Sequence, residues 1–75
     1  MEKKIREIIG KVVGEDLTNF SLDGINMNNL SNWDSLAHLK IIIAIEDEFD
    51  IEIEPEEVGL MKEGALKIKE ILENK

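Results

Sequence analysis

Seventy-five residues with a net charge of −8 and no cysteine make one domain, residues 1–75, with neither disulfides nor Cys-based metal sites to staple it. Lys3, Lys4, Arg6 and Lys11 bias the first segment positive, whereas Glu46, Asp47, Glu48, Asp50, Glu52, Glu54, Glu56 and Glu57 form a run with no basic residue among them, the opposite of the surface a nucleic-acid binder needs. With two Phe, one Trp and no Tyr the core must be aliphatic, and a chain this short buries only about 60–65% of its unfolded surface, which leaves little room for a deep catalytic cleft.

Residues 2 to about 14 read as an amphipathic helix. Ile5, Ile8, Ile9, Val12 and Val13 recur at i, i+3, i+4, i+7 and i+8 and make one apolar stripe. Gly10 lies inside it and weakens it slightly, and Gly14 is a fitting end. Residues 15–33 have no clean period. Turn formers such as Asn19, Asp23, Gly24, Asn26, Asn28, Asn29 and Asn32 alternate with Leu17, Phe20, Leu22, Ile25, Met27, Leu30 and Trp33. The pattern predicts a long loop pinned onto the helices, with a short helical turn near residues 17–20 or 25–30. Its apolar residues are expected to pack, with Trp33 as the one partly exposed exception.

The second helix is predicted over residues 35–49. Asp34 is a good N-cap, since its carboxylate can accept from a free amide of the first turn, although Ser31-Asn32-Trp33-Asp34 also has capping-box spacing. At 100° per residue, Ile41, Ile42, Ile45, Phe49 and Leu39 form the core face, while Leu36 and Ile43 fall beside Lys40 and Asp47. Two readings fit those two: scattered surface apolars, or the apolar part of a partner-binding patch with an acidic rim.

Residues 50–55 alternate polar and apolar, but a strand without a partner strand cannot persist. They read as an extended connection plugged into the core by Ile51 or Ile53. Pro55 suits the first turn of a short helix, with Glu56 and Glu57 complementing its dipole and Gly59 limiting its length. A last helix runs from about Gly64 to Glu73, its start the weakest boundary because only glycine stands at the cap. The fold class is therefore all-α: a small bundle of three main helices plus one short helix, with a long first loop.

Charged Met1–Glu7 is no signal region, and the longest apolar run, Ile41–Ile45, is too short to span a bilayer. A cytoplasmic protein is expected. Asp47–Glu52 has Glu52 where a calcium loop needs its glycine, so no metal site is expected. His38 is the lone histidine and lacks an orienting partner as a base for Ser35; it reads as a hydrogen-bonded histidine at the core edge. No phosphate loop or nucleophile elbow is present. The acidic run serves either as a solvated face or as a means of steering toward basic partner proteins.

Asp34-Ser35-Leu36, followed by an aliphatic helix ending in Glu46-Asp47-Glu48-Phe49-Asp50-Ile51, resembles the acyl carrier protein family. The resemblance covers nearly the whole chain. It implies that Ser35 receives 4′-phosphopantetheine from coenzyme A through a separate phosphopantetheinyl transferase, with Asp34 and Leu36 flanking the attachment point. The thiol of that arm would carry an acyl group as a thioester between a loading ligase and downstream synthase or transferase enzymes. The chain itself would be a monomeric carrier, not an enzyme. By the same resemblance, Leu36, Lys40, Ile43, Glu46 and Asp47 match the face such carriers present to partners. An aliphatic bundle could also open to shelter an acyl chain.

The chain departs from the fatty-acid pattern in three places. Ala37 stands where an acidic residue often follows Asp-Ser-Leu, Lys40 where a glutamate usually sits, and Trp33 where a small residue is common. Trp-Asp-Ser-Leu-Ala-His-Leu looks more like specialised discrete carriers of secondary-metabolite, surface-polysaccharide or aminoacyl pathways. Two rivals stand beside the acyl carrier: a D-alanyl or peptidyl-type aminoacyl carrier, and an acidic interaction module in which Ser35 is only a cap neighbour.

Overall fold

The apolar stripe of the first segment winds into α1, Glu2–Val13, which buries Ile5, Ile9 and Val13. It stops at Gly14, whose φ of 76° is left-handed and whose amide donates to the Gly10 carbonyl at 2.8 Å. Gly10 does more than weaken the helix. A Cβ there would lie 2.6 Å from the Glu15 carbonyl oxygen, because the chain doubles back across α1 at this point. The computed structural model describes all 75 residues.

The long loop is pinned as its composition suggests, but through several short turns. A 3₁₀ turn forms at Leu22–Gly24, between the two predicted places, while a Phe20 N–H to Leu17 carbonyl bond and a Leu30 N–H to Asn26 carbonyl bond close turns within both predicted stretches. Asparagine side chains hold the loop together: Asn26 Oδ1 accepts from the Asn29 amide, Asn29 Nδ2 donates to the Gly24 carbonyl, and Asn32 Nδ2 donates to the Val13 carbonyl of α1. Leu17, Leu22, Ile25 and Leu30 are buried. The exception falls elsewhere than expected: Trp33 is only 2% exposed, and Phe20 is the residue left partly outside.

Helix α2 is Ser35–Phe49 and ends at Asp50, which takes the left-handed conformation with φ 53°. Its Ala37, His38, Ile41, Ile42 and Ile45 are buried. Leu39 is not on the core face; it is 55% exposed. The helical wheel explains this, since Leu39 lies about 60° from Leu36 but about 120° from Ile45. Residues 51–54 are extended, with Ile53 buried and Ile51 half-buried. Helix α3, Pro55–Leu60, starts on Glu54, whose amide donates to the Glu57 carboxylate at 2.9 Å. A second 3₁₀ turn, Met61–Glu63, leads into α4, Ala65–Glu73.

Gly64 joins the two for a reason the sequence does not advertise. Its φ is 131°, and a Cβ would sit 2.8 Å from the Ile25 carbonyl oxygen. That same carbonyl accepts from the Ala65 amide at 2.9 Å, so α4 begins on the loop's backbone in place of a side-chain cap. Helix α1 packs on α2 and α4, and α4 rests on both 3₁₀ turns. Seventeen buried apolar residues form one core within 26 × 23 × 19 Å. The architecture is the expected all-α bundle, with no strand. No helix is long and apolar enough to cross a membrane.

Candidate functional site

Ser35 is the first residue of α2, and its side chain is exposed. Asp34, extended at φ −103° and ψ −172°, caps the helix: its Oδ1 accepts from the Ala37 amide at 2.8 Å, and its carbonyl accepts from the His38 amide at 2.8 Å. The start of the helix is thereby fixed at Ser35, not at the earlier capping-box alternative. The amides of Ser35 and Leu36, ahead of the first helical bond, remain without intrahelical acceptors, at the positive end of the helix dipole. Asp34, Ser35 and Leu36 thus form one exposed corner, with Leu36 62% exposed.

The corner is stapled from beneath. Trp33 precedes the cap and His38 is the fourth helical residue, the two positions at which a staple closes a helix start. Trp33 Nε1 donates to His38 Nδ1 at 3.1 Å, with the rings stacked at a centroid distance of 5.9 Å. An indole N–H can only donate, so Nδ1 accepts and Nε2 carries the proton. Nε2–H then donates to the Val58 carbonyl of α3 at 2.8 Å. His38 is 1% exposed, and no buried polar side-chain atom in the protein lacks a partner. The expected role, a hydrogen-bonded histidine, is what the structure gives it. With both ring nitrogens engaged, His38 has none free to serve Ser35 as a base.

Along the outside of α2, Leu36, Leu39 and Ile43 stand at i, i+3 and i+7 as an exposed apolar stripe. Lys40 and Asp47 lie in the same sector, and neither enters an ion pair. Glu46 points aside: its Oε2 accepts from the Ile53 amide at 2.9 Å and anchors the extended connection. Other members of the acidic run are also committed. Glu48 approaches Lys4 of α1 at 3.9 Å. Glu57 meets Lys75 at 2.8 Å, and the lysine, with the Glu54 amide, holds the Glu57 carboxyl below its ordinary range. No three His, Asp or Glu side chains converge as a metal cluster would.

Sequence reasoning brings Leu36, Lys40, Ile43 and Asp47 onto one face correctly, misses Leu39 there, and misses the Trp33–His38 pair. The signal for that pair was the staple spacing itself.

The chain is 40% identical over 57 residues to an acyl carrier protein of Buchnera aphidicola subsp. Schizaphis graminum, an overlap of 76% of this chain and 71% of the relative. The chain belongs to the acyl carrier protein family. A second family member, the acyl carrier protein of Clostridium acetobutylicum, is 36% identical over 55 residues, covering 73% of this chain and 70% of that one. No family model and no solved structure matches the chain. Acyl carrier proteins are carriers rather than enzymes.

Proposed function

We propose that this acyl carrier protein is modified at Ser35 with 4′-phosphopantetheine and shuttles acyl thioesters between partner enzymes. One observation carries the reading: the Ser35 hydroxyl is exposed, hydrogen-bonds to no protein group, and stands on a helix start locked by Asp34 and the Trp33–His38 pair. In the attachment step the Ser35 oxygen forms a bond to the β-phosphorus of coenzyme A. The pyrophosphate bond breaks, adenosine 3′,5′-bisphosphate leaves, and the serine proton passes to a base of the phosphopantetheinyl transferase. A phosphodiester at this corner fits the residues present, because the free amides of Ser35 and Leu36 and the helix dipole favour an anion.

The exposed stripe of Leu36, Leu39 and Ile43, with Lys40 and Asp47 beside it, supports a docking face for the transferase, a loading ligase and downstream synthase or transferase enzymes. Glu46, which the family resemblance also places on this face, acts here chiefly through the Ile53 amide. Lys40 puts a cation in the middle of the face. It favours a dedicated set of partners, in a specialised fatty-acid, polyketide, other lipid or surface-polysaccharide pathway, over housekeeping fatty acid biosynthesis. The same cation supports an aminoacyl carrier as the second reading. A cytoplasmic, monomeric protein is in keeping with both.

Co-expression with a promiscuous phosphopantetheinyl transferase and intact-mass measurement tests the attachment. The wild-type chain is expected to gain one phosphopantetheine and Ser35→Ala none. An unmodified wild type would leave an acidic interaction module instead, and a gain that survives Ser35→Ala would refute Ser35 as the attachment point.

A further inference from the structure

Ser35 lies between the two polar members of the core, Trp33 two residues before it and His38 three residues after it. They are the only tryptophan and the only histidine of the chain. Through them the start of α2 is joined to α3, Trp33 to His38 and His38 to the Val58 carbonyl. The three surface depressions all open to solvent, and none is lined by residues 33–39.

A chain tethered at Ser35 that enters the bundle beside the start of α2 must break at least one of these bonds. On the side of α3 it separates His38 from Val58; on the side of the loop it lifts Trp33 off His38. Hydrocarbon offers neither donor nor acceptor, so the separated indole N–H, imidazole and carbonyl would stay buried without partners. An aliphatic seam would impose no such loss. Short or polar acyl groups, for their part, gain too little from burial to force the entry.

We propose that the Trp33–His38–Val58 connection closes the interior beside Ser35 to alkyl chains, so that this carrier's cargo is a short or polar acyl group held outside the bundle. The inference rests on Ser35 as the attachment point. The expectation that an aliphatic bundle opens to shelter its cargo is set aside on these grounds.

The test uses the whole chain, loaded by a promiscuous transferase from acetyl-CoA or from octanoyl-CoA. Intact mass comes first: no mass gain at Ser35 refutes the attachment itself, separately from the closure. In the loaded forms, the methyl resonances of Ile41, Ile45 and Ile68 and the Trp33 Nε1–H resonance are compared. Acetyl and octanoyl forms are expected to superimpose. Octanoyl-dependent movement of the core methyls, with or without movement of Trp33 Nε1–H, overturns the closure. In His38→Leu no imidazole is left to strand, and octanoyl is expected to move those methyls; silence there removes the polar pair as the barrier. If that variant does not fold, Trp33 fluorescence of the wild type is the second readout, expected unchanged between the two cargoes and overturning the closure if it shifts.

Discussion

Trp33→Phe and His38→Leu, singly and together, measure how much the staple contributes. Trp33→Phe keeps an aromatic ring but removes the donor, leaving Nδ1 of the buried His38 without a partner. An orphaned buried acceptor costs about 1–3 kcal/mol, and the void left by the smaller ring adds about 1 kcal/mol. His38→Leu orphans two groups at once, the indole N–H and the Val58 carbonyl. Trp33→Phe is therefore expected to lose about 2–4 kcal/mol and His38→Leu about 2–6 kcal/mol, a large share of the roughly 5–15 kcal/mol that holds such a domain. At about 4–8 °C per kcal/mol for a chain of this size, the midpoint of Trp33→Phe falls by ~10–30 °C and that of His38→Leu by at least as much. In the double variant the donor and its acceptor leave together, and only Val58 remains orphaned. Two orphan penalties, one from each single variant, are then absent, so the double loss should fall short of the sum of the singles by about 2–6 kcal/mol. Urea unfolding followed by far-ultraviolet circular dichroism at neutral pH reads all four chains without relying on tryptophan. Losses that add to within ~0.5 kcal/mol would show that the pair does not act as a unit.

Gly64→Ala forces a left-handed residue to carry a Cβ 2.8 Å from the Ile25 carbonyl; it is expected to cost about 2–4 kcal/mol, seen as a lowered thermal midpoint, and a neutral result would refute the tight crossing. Ile43→Ala and Ile45→Ala separate docking from packing. Ile45, fully buried, should lose about 2–5 kcal/mol of stability, whereas exposed Ile43 should lose at most ~0.5 kcal/mol yet be modified more slowly by the transferase; equal stability losses would contradict the faces assigned. The Lys69 ammonium, through a 2.9 Å hydrogen bond and its charge, lowers the Glu2 pKa below 4.5 and ties α1 to α4. A depressed carboxyl pKa gives stability that is present above the unfolded value and lost as pH falls through the folded one. Glu2→Gln should therefore flatten the acid limb of a stability–pH profile measured by chemical denaturation, and an unchanged limb would refute the tie.

What was legible in the sequence follows the range of the interactions. The stripe of α1, the Asp34 cap, the span of α2 and the Pro55 start of α3 depend on neighbours three or four residues apart, and each lies where the spacing puts it. Contacts between distant segments were not legible. Gly10 looks like a weak point of a helix until Glu15 and Leu17 fold over it, and Gly64 looks like a poor cap until the Ile25 carbonyl supplies the bond. Trp33 was expected to be partly exposed because a large ring beside a surface serine has no local reason to be buried. Its reason is His38, which in turn needs Val58, twenty residues away. Leu39 differs in kind: the buried sector of α2 is narrower than a five-residue apolar face, and a position about 60° from Leu36 places Leu39 outside it.

The acidic run shows best how local reading and tertiary use diverge. As a string it is one negative block, and a block of like charge suggests a uniform face. In the fold its members take different tasks. Glu46 holds the Ile53 amide, Glu48 reaches Lys4, and Glu57 holds both the Glu54 amide and Lys75. Asp47 is left beside Ile43 and Lys40 on the outer sector of α2, without an ion pair. Beyond the Asp34 cap, the outer sector of α2 is thus not a carpet of negative charge but an apolar stripe with one cation and one anion, Lys40 and Asp47, seven residues or about 10 Å apart along the helix. Partners drawn in by the net charge of −8 are drawn at long range by the whole block. On the docking face proposed above, a docked partner would have to satisfy a charge of each sign in a fixed order, Lys40 nearer Ser35 and Asp47 farther away. On that proposal, long-range attraction rests on the acidic run as a whole, whereas short-range recognition rests on Lys40, outside the run, together with Asp47, and only the second can tell one basic partner from another.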